Sequence, residues 1–195
     1  MDDDLSVHTK TVGRGGTARQ NLTRSQECEA LILSVTDQLV ADWTSGARKL
    51  DGMLYLMGWK QAGEFVPLYI GKAESTGRGG GLSVNITNLH TDKSKFARWG
   101  DNYAYHIGDL SACVLPGHRD EKKLPKYESW AACLFVSGTS RLREPVYFWA
   151  TTWNCSDVGI WEEFGPTPLA FLEYLLIGVA SGISPDLLNR EGRSR

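Results

Sequence analysis

The sequence predicts a mixed α/β (α+β) domain in which a small, mainly antiparallel three-stranded sheet is flanked by helices. Three observations carry this reading. Two short apolar, aromatic runs at 53–57 and 66–70 stand either side of a polar stretch holding Gly58 and Gly63, the pattern of a β-hairpin. Cys28, Leu31, Ile32, Val35, Leu39 and Trp43 recur at helical spacing. A third β-branched and aromatic run at 146–152 precedes an apolar helix at 169–180.

Residues 1–24 read as a flexible basic arm, since an acidic tip is followed by Lys10, Arg14, Arg19 and Arg24 with no acid among them. A single domain is expected from 25 to 195. Its first helix starts at Ser25 and stops at Thr44, Ser45 and Gly46. After the hairpin, Gly77, Gly79, Gly80 and Gly81 form a flexible loop, 82–96 shows no dominant period, and 103–107 is a candidate strand. The charged, proline-bounded stretch 116–126 reads as a surface loop. Tyr127, Trp130, Ala131, Leu134 and Phe135 then share one helical face. Thr167 followed by Pro168 is the pattern of a cap and a first helical residue, opening a buried helix over 169–180. The tail carries Leu187, Leu188 and Asn189, then Arg190, Arg193 and Arg195.

A chain of 195 residues that is 42% hydrophobic and 23% charged suits one globular domain and excludes fibrous or wholly disordered classes. The net charge of −2 excludes a histone-like coat, so any nucleic-acid surface must be a local concentration of cations. The four cysteines form no C-x-x-C pair, which argues against a zinc ribbon and for a reducing, cytoplasmic setting. Residues 1–24 have no apolar core of a secretory signal, and the longest apolar run is shorter than the ~20 residues of a membrane span. No membrane partner is expected.

Glu173 is the only ionisable carboxylate in the 169–180 helix. A carboxylate among apolar neighbours is costly unless it is paired or holds a cation, so it reads as half of a salt bridge to a core-edge arginine, as part of a helix face that reaches solvent, or as a metal ligand. Tyr55 and Tyr69 lie fourteen positions apart across the hairpin and can share a face, as packing residues or as site residues. Gly71 permits close backbone approach, and Lys72 stands either on an ordinary surface or where an anion could meet it.

With Tyr69, Ile70 and Gly71 in succession, Lys72 after them and Tyr55 closing the earlier strand, the chain resembles the GIY-YIG endonucleases. The first motif reads Met53, Leu54, Tyr55, which departs from Gly-Ile-Tyr at two positions and keeps the tyrosine. Glu173 in its apolar helix is similar to the family's metal-binding glutamate, and Asn189 to its terminal asparagine. The resemblance runs from Tyr55 to Asn189. It implies an α/β sandwich enlarged by an insertion at roughly 74–145. For the family's arginine, Arg98 is favoured over Arg78, because Arg78 sits among glycines that cannot preorganise it. Asn102 stands where the family often has a histidine, and His106 is either its substitute or a packed side chain.

The resemblance implies a metal-dependent, sequence-selective, restriction-like DNA endonuclease. Glu173 would hold one Mg²⁺ or Mn²⁺ per site, Tyr55 would orient or deprotonate water with Lys72 near enough to lower the tyrosine's pKa, and Tyr69 would position water or phosphate. Arg98 would neutralise developing charge, Arg78 would contact the DNA backbone and Asn189 would support the site. Between positions 72 and 98 five cations oppose two acids, which suits a duplex-facing groove. Double-stranded DNA is the expected partner, and one site per chain favours a homodimer or sequential nicking. A catalytically inactive relative that binds nucleic acid or protein is the alternative.

Overall fold

The computed structural model describes residues 4–13, 15–159 and 161–193. Arg14 of the expected arm and Arg195 of the basic tail lie outside them. The described part of that arm forms secondary structure. Strand β1 (Thr9–Val12) pairs antiparallel with β2 (Arg19–Leu22), and Asn21 and Leu22 are buried. Three of its cations contact the chain itself: Lys10 pairs with Asp101, Arg19 lies 4.4 Å over the Tyr103 ring, and Arg24 pairs with Glu29 at 2.8 Å. These contacts correct the picture of a free basic arm, because Lys10 and Arg19 find partners far away in sequence and Arg24 finds one on the first turn of the next helix.

Helix α1 (Gln26–Ser45) begins where the Ser25 hydroxyl accepts the Cys28 N–H at 3.1 Å and ends at Gly46, whose φ of 78° is left-handed. Strands β3 (Leu50–Gln61), β4 (Glu64–Glu74) and β5 (Tyr147–Asn154) form one antiparallel sheet in the order β4-β3-β5. The period-two alternation gives the sheet two apolar faces. Met53, Tyr55, Met57 and Tyr69 face the larger core with Ile32, Val35 and Leu39 of α1, while Leu54 and Ile70 face the smaller one.

The segment between β4 and β5 holds helices α2 (His106–Val114) and α3 (Pro125–Leu134). It is part of the core, to which it contributes Ile86, Phe96, Trp99, Ile107 and Trp130. Residues 103–107 are not a strand. Ala104 has a left-handed φ of 70°, its N–H donates to the Asp109 carboxylate at 2.8 Å, and α2 starts at His106. The stretch 116–126 is likewise not all surface loop, since it includes a helical turn at Asp120–Lys122 and the first residues of α3, where Lys126 is half-buried.

Helix α4 (Leu169–Ile183) closes the opposite face of the sheet through Leu169, Leu172, Ile177 and Ala180. It is not buried all round, for Phe171, Val179 and Ile183 are exposed. Thr167 does not cap it either. Its hydroxyl accepts from Gly159 and donates to the Gly165 carbonyl, Pro168 takes the cap position, and the Asp51 carboxylate of β3 accepts the Leu169 N–H at 3.2 Å. After α4 the Leu188 N–H donates to the Leu68 carbonyl at 2.6 Å, covering part of the outer edge of β4. Among the described residues no helix is long and apolar enough to cross a membrane, and the four cysteines are free.

Candidate functional site

Two clefts draw lining residues from β4, the edge strand of the sheet. One, of about 830 Å³, is lined by Lys72, Arg78, Ser83, Asn85, Arg98 and Tyr105. The other, of about 270 Å³, is lined by Tyr69, Lys126, Glu173, Asn189, Arg190 and Glu191. Electrostatics join them. Lys72 of the first cleft stabilises the carboxylate form of Glu173 in the second, and Arg98 of the first disfavours the charged form of Lys126 in the second.

Glu173, on α4, is half-buried and lines the second cleft. Burial raises its pKa above the ordinary carboxylate value, with Lys72 opposing and Glu74 reinforcing the rise. Among the described residues it has no ion-pair or hydrogen-bond partner, so the salt-bridge alternative is not realised. No group of three metal-ligating side chains occurs among the described residues. A lone half-buried carboxylate fits a hard cation that takes its remaining oxygens from water and phosphate, and does not fit a soft or closed metal centre.

The two tyrosines do share a face, with ring centroids 6.3 Å apart, yet only Tyr69 lines a cleft. Tyr55 is 1% exposed, packed against Trp99 and Phe148, with its hydroxyl 3.1 Å from His106 Nε2. Gly71 is required by this packing, because a Cβ there would lie 2.7 Å from the Tyr55 ring and hydroxyl. Lys72 does not stand beside Tyr55. Leu54 is its cross-strand partner, so its side chain leaves the opposite face of the sheet, and its ammonium pairs with Glu74. This corrects the expectation that Lys72 lowers the pKa of Tyr55, which burial instead raises well above the ordinary value.

His106 is 2% exposed and stacks on Trp130 with ring centroids 5.2 Å apart. Its Nε2 meets Tyr55 and its Nδ1 meets the Tyr127 hydroxyl at 2.9 Å, so it links two buried phenols. Burial holds its pKa well below the ordinary value, and a neutral imidazole fits a chain in which one nitrogen donates and the other accepts.

Arg98 ends a run of three residues with left-handed backbone, Phe96, Ala97 and Arg98, at φ of 33°, 50° and 78°. Such strain in non-glycine residues persists only where the surroundings enforce it. Phe96 and Ala97 are buried, and the Ala97 N–H donates to the Asn85 carbonyl at 2.6 Å. The guanidinium sits 5.5 Å from the Tyr105 ring centroid, leaving its N–H donors to the cleft. Arg78 is exposed on the glycine loop across from it. Asn189 grips the β4 backbone at two points, accepting the Ile70 N–H at 3.0 Å and donating to the Ile70 carbonyl at 2.7 Å.

Sequence reasoning missed Lys126. Its Nζ donates to the Tyr69 hydroxyl at 3.2 Å and lies 4.8 Å from the Tyr69 ring centroid and 5.3 Å from that of Trp130. The available signal was Pro125, which marks a first helical position and puts the next residue at the start of α3 rather than in a loop. Sequence reasoning also passed over Tyr127, placed on a packing face without its hydroxyl. A separate apolar cavity of about 180 Å³, lined among others by Leu22, Met57, Leu110 and Phe148, contains none of the expected site residues. No protein-family model matches the chain, and neither curated proteins nor solved structures give a match.

Proposed function

We propose that this chain is a metal-dependent DNA endonuclease of the GIY-YIG kind, sequence-selective and restriction-like. The observation that supports it best is that Tyr69 and Lys72 of β4, Arg98 of the strained turn and Glu173 of α4 line two clefts that both draw on the edge strand β4. Phosphodiester hydrolysis needs an activated water, charge stabilisation on the phosphoryl oxygens and help for the leaving oxygen.

Glu173 would hold one Mg²⁺ or Mn²⁺, which when bound supplies Lewis-acid stabilisation of the phosphoryl oxygens. Tyr69, whose pKa is pushed up to about 12 by burial and then by Glu173, stays a neutral phenol at working pH. It therefore orients water or a phosphate oxygen by hydrogen bonding. Arg98 neutralises charge on the phosphoryl group from a backbone already held in place. Lys72 and Arg78 take the flanking phosphates of double-stranded DNA. Tyr55, His106 and Tyr127 form the floor on which Tyr69 rests, and Asn189 fixes the strand that carries it. With one site per chain, cutting both strands takes a homodimer or two successive nicks.

The test is incubation with supercoiled and linear DNA in Mg²⁺ or Mn²⁺, with a chelator control. Discrete fragments that disappear with chelator support the proposal. Metal-independent DNA binding without cleavage, unchanged in Glu173→Ala, replaces it with the binding-module reading.

A further inference from the structure

Lys126 is placed where helix physics disfavours it. It is the second residue of α3, at the positive end of the helix dipole, where a cation is destabilising and an acid is favoured. Arg98 and Arg190 add like charge near it. No carboxylate forms an ion pair with it among the described residues, and its one hydrogen-bond acceptor there is the Tyr69 hydroxyl. An ammonium has three N–H donors, so two remain for the cleft that Tyr69, Glu173 and Asn189 line. Three aromatic faces, those of Tyr69, Tyr127 and Trp130, hold the side chain in this direction. A local rule broken at a cleft edge, with the strained charge aimed inward, is the pattern of a site residue and not of a solvated surface lysine.

We propose that Lys126 belongs to the catalytic machinery, donating one hydrogen bond that fixes the Tyr69 hydroxyl and another to a non-bridging oxygen of the scissile phosphodiester. This rests on the nuclease reading. The groups that face Lys126 are Tyr69 from β4, Arg98 from the strained turn, His106 and Asp109 from α2, Tyr127 from its own helix, Glu173 from α4 and Arg190 beyond it. Burial first, and Arg98 second, bring its pKa down to about 8, against the opposing pull of Glu173 and Asp109. The charged form that binds phosphate is therefore lost as pH rises through that value.

The experiment compares the wild-type chain with Lys126→Met and Lys126→Arg for single-turnover cleavage, DNA affinity in Ca²⁺, thermal midpoint and pH profile. The expected result is a loss of about 100-fold or more in cleavage rate for Lys126→Met, the scale of removing one oxyanion donor. DNA affinity should change by less than about threefold, since one phosphate contact among many is removed. Lys126→Arg should recover part of the rate and lose the alkaline fall seen in wild type, because a guanidinium stays charged. If Lys126→Met is less stable than wild type, the altered alkaline limb of Lys126→Arg decides the matter. Wild-type cleavage with Lys126→Met within about threefold of it, or a Lys126→Arg profile that keeps the wild-type alkaline fall, overturns the role of Lys126 and leaves the nuclease reading intact. No cleavage by wild type overturns both.

Discussion

The ring of Tyr55 lies directly over Gly71, so that a β-carbon on Gly71 would come within 2.7 Å of the ring and its hydroxyl. The two residues are cross-strand neighbours on β3 and β4, and the missing side chain of one is the space occupied by the other. Gly71→Ala must push Tyr55 out of a position in which it is 1% exposed and bonded to His106. Overpacking of this kind costs about 1–3 kcal/mol. Chemical denaturation should show that loss with an unchanged denaturant dependence, and the cleavage rate should fall because Tyr69 rests on the displaced ring.

His106 gives the fold a pH dependence of defined sign. Its folded-state pKa is depressed well below the ordinary 6.5 by burial, so in acid the unfolded chain takes up a proton that the folded chain refuses. The stability contributed by the neutral imidazole is present above 6.5 and is lost as pH falls toward the lowered native value. Urea unfolding from about pH 7.5 to about pH 5 should show this slope, and His106→Phe should flatten it while lowering stability at neutral pH. An unchanged slope would mean that another group governs acid unfolding.

Asn189 is predicted to act through the backbone. Its amide makes both hydrogen bonds available at Ile70, next to Tyr69, and is buried while doing so. Asn189→Ala leaves two backbone groups without partners and should cost about 2 kcal/mol. Asn189→Asp keeps the acceptor for the Ile70 N–H but sets a carboxylate against the Ile70 carbonyl, so it should be no better tolerated. Hydrogen exchange at Ile70 should accelerate in both variants.

Much of this arrangement was legible in the sequence, and the part that was not has a physical reason. The hairpin, α1, α3, β5 and α4 follow from local periodicity, which needs only neighbours along the chain. So does the shared face of Tyr55 and Tyr69, because a strand alternates with period two. The hairpin of β1 and β2 was hidden because its anchoring contacts, Lys10 with Asp101 and Arg19 with Tyr103, are between residues about ninety positions apart. Thr167 looked like a cap because capping residues and prolines mark helix starts, yet Asp51, more than a hundred positions earlier, does that work. Lys72 and Lys126 could not be sorted without the register: one lies across the sheet from Tyr55, and the other, placed in a loop by its charge, reaches Tyr69.

The central claim is tested most directly at Glu173, where function should be lost without a loss of stability. Its carboxylate is half-buried without an ion pair among the described residues, and its pKa is raised, so at neutral pH the ionised form is held at a cost to the fold. Glu173→Gln removes that charge and keeps the shape. The measurement is cleavage of supercoiled DNA in Mg²⁺ by wild type and Glu173→Gln, with the thermal midpoint of each at neutral pH. The account predicts metal-dependent cleavage by wild type, its loss in Glu173→Gln, and a midpoint in the variant equal to or above that of wild type. Cleavage retained by Glu173→Gln, or absent from wild type across DNAs of mixed sequence, would contradict it.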